Sequence, residues 1–152
     1  MGLFDSLEIS ATGLTAERLR MDVTAENLAN AQTTRGADGG PYRRKEVILQ
    51  QAATGPDFGA QLRSAMVGGG GRAGSTPGGV EVAEIAADPN PPKMVYDPGH
   101  PDANAQGYVA MPNVDSVTEM VDLISSSRAY EANVTAMQAS KQMFTKTLDL
   151  LR

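Results

Sequence analysis

The chain has 152 residues, a net charge of −5, no cysteine and no tryptophan, and only 5% of its residues are aromatic. The excess of acidic residues argues against nucleic acid as a partner, and the lack of cysteine excludes disulfides and thiolate metal sites. The scarcity of aromatic side chains favours long helices packed through Leu, Met and Ala over the core of a compact enzyme.

The first predicted helix covers residues 5–31. Small or apolar residues, with the basic Arg18 as the one exception, recur there every seven positions in two series: Phe4, Ala11, Arg18 and Ala25, and Leu7, Leu14, Met21 and Leu28. This is the a/d spacing of a coiled-coil seam. The N-terminus has no apolar run, so we expect neither a cleaved secretory signal nor direct membrane insertion.

The middle of the chain has a different composition. All nine prolines lie between Pro41 and Pro112. We therefore expect a discontinuous helical core domain, formed by residues 1–33 and 113–152, around a Gly/Pro-rich β excursion of residues 34–112. The excursion is expected to contain a flexible loop at residues 67–79. Short strands are predicted at residues 42–50, 80–86 and 94–96.

Residues 116–151 are predicted to form one long helix. Its a positions are Met120, Ser127, Val134, Lys141 and Leu148, and its d positions are Leu123, Tyr130, Met137, Phe144 and Leu151. Every d position is apolar over five heptads. Ser116 and Glu119 have the spacing of a capping box at its start. A helix of this length spans roughly 50 Å, more than a compact domain of this size needs.

Both heptad seams need to be covered. The simplest solution packs the terminal helices together, antiparallel or nearly so, and also against copies from other subunits. An intramolecular hairpin without a role in assembly is the alternative, but two helices alone bury only one face of each. We thus expect a mainly α fold with a β-rich insertion, in which two long terminal helices form a coiled-coil-like pair around an extended β hairpin or loop region. The residues assigned to the helix seam and to assembly are Leu7, Leu14, Met21, Leu28, Met120, Leu123, Tyr130, Val134, Met137, Phe144, Leu148 and Leu151.

The sequence contains no convincing catalytic, cofactor or metal site. The run of glycines at residues 68–71 lacks the Gly-Lys-Ser/Thr ending of a phosphate-binding loop. His100 is the single histidine and is flanked by Asp97 and Asp102, but no second histidine or cysteine accompanies it. An enzyme centred on these three residues is kept as a separate hypothesis, which predicts that His100→Ala abolishes function and leaves assembly intact.

Several stretches resemble one family, the axial proteins of the bacterial flagellum. Residues 25–33 (AENLANAQT), preceded by Gly13-Leu14, resemble the N-terminal motif shared by rod, hook and hook-associated proteins. Residues 119–124 (EMVDLI) and 127–133 (SRAYEAN) resemble their C-terminal motif. Three middle pieces narrow the resemblance to the proximal rod proteins: residues 42–45 (YRRK), 95–102 (VYDPGHPD) and 107–114 (GYVAMPNV). Residues 54–79 match less well.

The resemblance implies a structural subunit of the proximal rod, the drive shaft of the basal body, with no catalytic activity. It further implies export through the flagellar type III gate without a cleaved signal, assembly in the periplasm, and terminal helices that line a tube around the export channel. The implied partners are further copies of the chain, other proximal rod proteins, the adaptor between rod and MS ring, the distal rod and the export gate. The other hypothesis is a soluble coiled-coil adaptor or export-associated protein that binds a partner helix.

Five polar residues of these motifs are candidates for contacts. Asn27 and Asn30 fall where the first helix should end, and each is either a helix stop only or also a subunit contact. Arg128 and Glu131 are three residues apart and can pair with each other or across subunits. Asn133, like Ser126, lies at a g position beside the seam, where a polar group can fix the register.

Overall fold

In the part of the chain that the structure describes, the fold consists of two long helices with four short strands between them. The computed structural model describes residues 3–36, 39–52 and 78–150. Its elements in chain order are α1 (Leu3–Ala29), β1 (Lys45–Gln51), β2 (Val80–Ala87), β3 (Lys93–Tyr96), β4 (Tyr108–Met111) and α2 (Ser116–Leu150). The expected fold class, mainly α with a β-rich insertion, is confirmed. Most of the expected flexible loop, residues 67–77, lies outside the described residues.

The helices α1 and α2 pack against each other in antiparallel orientation. Asn27 of α1 bonds to Glu119 of α2 at one end of the pair, and Gly13 faces Asn133 further along. A Cβ atom on Gly13 would lie 3.0 Å from Nδ2 of Asn133, so the glycine allows a close approach of the two backbones. Ala16, which lies three residues after Gly13 on α1, is only 3% exposed.

On α2 the buried face is polar and made largely of small residues. Glu119, Ser126 and Ser140 are buried and Asn133 is half-buried, so these residues recur every seven positions along the contact. They occupy the g positions of the predicted heptads. Small side chains allow two helices to approach closely. Such a helix pair is stabilised by van der Waals contact more than by burial of large apolar groups.

The strands form two separate antiparallel sheets. β1 pairs with β2, with an irregularity between Ile48 and Leu49, and β3 pairs with β4. The first sheet lies along α1 and is attached near both ends. The backbone N–H of Lys45 donates to Asn27 at one end, and that of Val80 donates to the hydroxyl of Thr12 at the other.

The strand predictions at residues 42–50, 80–86 and 94–96 are confirmed within a few residues, whereas β4 was not expected. The first predicted strand begins three residues late, at Lys45, because the preceding Tyr42 and Arg44 turn their side chains toward the two helices.

The start of α2 differs from its prediction. Oδ1 of Asp115 accepts a hydrogen bond from the backbone N–H of Val117, and Oδ2 accepts one from the hydroxyl of Thr118. The first of these bonds is the main reason that the pKa of Asp115 lies below its usual value. Asp115 is therefore the N-cap. The capping box of Ser116 and Glu119 was wrong, because the carboxylate of Glu119 points into the interior instead.

The apolar core is small. Among the described residues the buried apolar side chains are Ala16, Val23, Val109 and Val114, together with Pro112. Large apolar side chains that are exposed are more numerous and include Met94, Tyr96, Val117, Val121 and Met143. Such surfaces are typical of proteins that bind other protein chains. No helix within the described ranges is both long enough and apolar enough to cross a membrane.

Gly79 provides a test of how the first sheet is attached to α1. Its φ is +89°, and a Cβ atom there would lie 2.3 Å from Oγ1 of Thr12, so Gly79→Ala adds both backbone strain and a clash. We expect the free energy of unfolding to fall by about 2–4 kcal/mol in chemical denaturation. Gly39→Ala is the control for strain alone, because φ is +77° with nothing within 4 Å. Equal losses in both variants would contradict the close contact with Thr12.

Candidate functional site

The residues of three separate sequence motifs meet at one end of the helix pair. We call Asn27, Tyr42, Arg44 and Glu119 the polar junction. Asn27 is 1% exposed and lies at its centre. Its Nδ2 donates to the carbonyl of Lys45 at 2.8 Å and to Oε2 of Glu119 at 3.1 Å. Its Oδ1 accepts from the hydroxyl of Tyr42 and from the backbone N–H of Lys45, both at 2.9 Å. One side chain thus joins α1, β1 and α2.

Glu119 brings a negative charge into the junction, where it is 1% exposed. Arg44 compensates this charge, because its Nε lies 2.6 Å from Oε1 of Glu119. The hydrogen bond to Glu119 is the main cause of a raised pKa of Arg44, and burial acts in the opposite direction. Arg44 also lies 3.6 Å from a carboxylate oxygen of Asp122. A buried carboxylate depends on such pairing, since an isolated charge in the interior is strongly unfavourable.

Tyr42 is the residue of the polar junction that precedes β1, and it contacts Asn27 through its hydroxyl. Burial, together with the negative charges of Glu26 and Glu119, raises the pKa of Tyr42 to about 12. The ammonium group of Lys45 lies 5.8 Å from the centre of the Tyr42 ring and 2.6 Å from a carboxylate oxygen of Glu26. The fold thus stabilises the neutral phenol, whose hydroxyl donates a hydrogen bond to Oδ1 of Asn27.

The raised pKa of Tyr42 predicts a loss of stability at high pH. The Tyr42 hydroxyl releases its proton near pH 10 in the unfolded chain and near pH 12 in the folded chain. Its contribution to the free energy of unfolding is therefore complete below pH 10 and is lost as the pH rises to 12. Denaturant titrations at several pH values should show a decline over this window that is smaller in Tyr42→Phe. An identical decline in both proteins would contradict the assignment.

The predicted seam residues lie beside the most buried face of α2 rather than on it. In α2, Leu123, Tyr130, Val134 and Met137 are half-buried, whereas Met120 and Leu148 are 48% and 50% exposed. Phe144 is 38% exposed. In α1 the four residues Leu7, Leu14, Met21 and Leu28 are half-buried. Leu151 lies outside the described residues. Their role in assembly stays a prediction.

The a and d positions of both helices border one open groove of about 440 Å³. α1 contributes Met21 and Ala25, and α2 contributes Leu123, Ser127 and Tyr130. Arg18 and Asp22, of opposite charge, also border the groove. The buried face of α2 lies at the g positions, next to the apolar a and d positions. The apolar seams of both helices therefore remain accessible on one side of the pair. We call this feature the interhelix groove.

The other motif residues have different environments. Asn30 stabilises the end of α1, because its backbone N–H and its Nδ2 both donate to the carbonyl of Glu26. Asn27 is not a helix stop, since α1 continues to Ala29. Arg128 and Glu131 are exposed. Asn133 is half-buried against Gly13. Contacts of these residues with other subunits stay a prediction.

The residues of the enzyme hypothesis organise a turn. The carboxylate of Asp97 accepts from the backbone N–H of Gly99, and Nδ1 of His100 accepts from that of Asp102. Asp102 binds the hydroxyl of Thr34 at 2.8 Å and the guanidinium of Arg35 at 2.5 Å. The bond from Thr34 is the main cause of a lowered pKa of Asp102. Their contacts tie this turn to the segment after α1. The described residues contain no cluster of three or more metal-ligating side chains.

The sequence does not single out Tyr42, Arg44 or Glu119 as one site. Glu119 lies 92 residues from Asn27 and 75 from Arg44. The available signal is that each of these residues belongs to a motif of the resemblance, while the motifs lie in three distant parts of the chain. The motifs therefore identify these residues as candidates, but they do not predict that the residues are in contact in the folded chain.

Comparison with known proteins gives matches over the whole chain. Residues 7–37 match the family model described as "Flagella basal body rod protein". Residues 105–150 match the model described as "Flagellar basal body rod FlgEFG protein C-terminal". The chain is 52% identical to the flagellar basal-body rod protein FlgC of Bacillus subtilis, covering 99% of both chains. It is 46% identical to the FlgC protein of Borreliella burgdorferi, covering 100% of this chain and 99% of the relative. It is 35% identical to the FlgC protein of Aquifex aeolicus, covering 98% of this chain and 97% of the relative.

Proposed function

Because the chain belongs to the flagellar basal-body rod protein family, and within it to the FlgC proteins, we propose that it is a structural subunit of the proximal rod without catalytic activity. The observation that carries this proposal is similarity over the full length, at 52% identity to one relative. The similarity includes both helices and the excursion between them, so it is not limited to the terminal motifs that axial proteins share.

The terminal helices supply the surface for polymerisation in this proposal. The pair buries its small and polar face internally and keeps large apolar side chains such as Val117 and Met120 exposed. Residues 1–33 and 113–152 would form the helical unit around the export channel, with residues 34–112 facing outward. The polar junction supports this division, since it fixes the excursion to the helix pair through Asn27 and Glu119.

The partners in this proposal are copies of the chain, other proximal rod proteins, the adaptor to the MS ring and the distal rod. The chain would reach them through the flagellar export gate, without a cleaved signal, and would remain in the rod within the periplasmic space. The exposed apolar side chains support protein partners, because contiguous apolar surface is stabilised when another chain covers it.

Locating the protein tests the proposed function. In a strain that carries an epitope-tagged chain in place of its own copy, we expect the tag in purified basal bodies and normal swimming. Deletion of the gene should abolish swimming, and the basal bodies that remain should lack a rod. A purely cytoplasmic pool, with intact rods in the deletion strain, would contradict the proposal and would favour the soluble adaptor.

A further inference from the structure

The interhelix groove has the form of a site for a third helix. Its floor is apolar, with Met21 from α1 and Leu123 and Tyr130 from α2. These are a or d positions of their heptads, the positions that point toward the common axis when helices associate. Two helices therefore already present their seams toward the same open space, and one further helix would complete a three-helix packing unit.

The same chain carries an apolar ridge of the kind that fits such a groove. Val117, Met120, Val121 and Ile124 are 65%, 48%, 60% and 52% exposed. Their spacing of i, i+3, i+4 and i+7 places them on one face of α2. This is the pattern by which an amphipathic helix anchors in a hydrophobic groove. We call these four residues the apolar ridge.

The ridge cannot fill the groove of its own molecule. At about 100° of rotation per residue, the centre of the ridge lies roughly 100° around α2 from the groove-lining residues Leu123, Ser127 and Tyr130. A second copy of the chain can place its ridge there. Its own groove then remains open for the next copy, which makes the contact heterologous and able to continue.

The charges at the groove are compatible with this occupant. Arg18 and Asp22 border the groove with opposite charges, so the site has no excess of either sign. The four residues of the ridge carry no charge. The groove has no net charge that would favour a strongly basic or acidic helix, whereas an uncharged apolar ridge loses no hydration of charged groups on entering it.

We propose that the interhelix groove of one subunit receives the apolar ridge, residues 117–124 of α2, from a second copy of this chain. The contact rests on the proposed function and specifies which surfaces join neighbouring copies. It also gives the association a direction, because each copy uses its groove for one neighbour and its ridge for the other.

Disulfide crosslinking tests this contact directly, because the chain has no cysteine of its own. We would introduce Ala25→Cys at the groove and Val121→Cys on the ridge, since both positions are exposed. Basal bodies purified from cells that carry the double variant would be oxidised and run on denaturing gels without reductant. We expect a ladder of dimers, trimers and larger species of this chain. Each single variant should remain monomeric on the gel.

A matched control replaces the ridge cysteine with Ala87→Cys, which is exposed at the end of β2, and should form no ladder. The inference would be overturned if the Ala25/Val121 variant gave only monomers, only dimers, or crosslinks to a different protein. The proposed function would survive that result if the variant protein were still recovered in basal bodies. Absence of the unmodified protein from basal bodies would instead contradict the proposed function itself.

Discussion

Replacing Arg44 with leucine should lower the free energy of unfolding by about 3 kcal/mol, since removal of one partner leaves a buried carboxylate without its counter-charge. The carboxylate is that of Glu119, which is 1% exposed and receives Nε of Arg44 at 2.6 Å. For a chain of this size the loss corresponds to a decrease of roughly 6–12 °C in Tm. Urea denaturation followed by circular dichroism measures the change.

Arg43 is a close control for this prediction, because it is the preceding residue and is exposed. Arg43→Leu removes the same charge outside the junction and should change stability by less than about 0.5 kcal/mol. The double variant Arg44→Leu with Glu119→Leu should recover part of the loss, because both charges are then absent. Equal stability of Arg43→Leu and Arg44→Leu would contradict the role of the ion pair.

Replacing Met137 with glutamate should abolish swimming. Met137 is half-buried, one turn after Asn133, which meets Gly13 of α1. A carboxylate at this position has no partner in the predicted seam and should cost about 2 kcal/mol or more. Swimming in soft agar and recovery of the protein in basal bodies measure the effect.

Gln138→Glu is the matched control for the Met137 variant, because it adds the same charge at the next, exposed position of α2. We expect it to swim normally. Normal swimming of Met137→Glu would contradict the assignment of Met137 to the seam. A loss of swimming in both variants would show that added negative charge, rather than its position, is responsible.

The long-range contacts of the junction mark the limit of prediction from local sequence. The sequence predicts one helix over residues 116–151, and α2 begins at Ser116 as predicted. The same local pattern gave the wrong partner for Glu119, since the carboxylate bonds to Asn27 and Arg44 rather than to the helix start. Capping rules describe neighbours within one turn, whereas a buried charge is placed by donors from elsewhere in the chain.

The heptad seams show a related limit. Periodicity identifies which residues are apolar, and Leu123 and Tyr130 do line the interhelix groove. It does not show that the most buried face of α2 contains Ser126 and Ser140, which are small rather than hydrophobic. The sequence did not predict strand β4 for a different reason. This strand has only four residues, Tyr108–Met111, and is recognisable mainly by its pairing with β3.

A density map of the intact basal body tests the central claim most directly, that this chain is a rod subunit whose terminal helices join neighbouring copies. We predict α1 and α2 of each copy in the proximal rod, with Asn27 still in contact with Glu119 and the interhelix groove filled by residues 117–124 of a neighbouring copy. A rod whose density is fully accounted for by other proteins, with no place for this chain, would contradict the account.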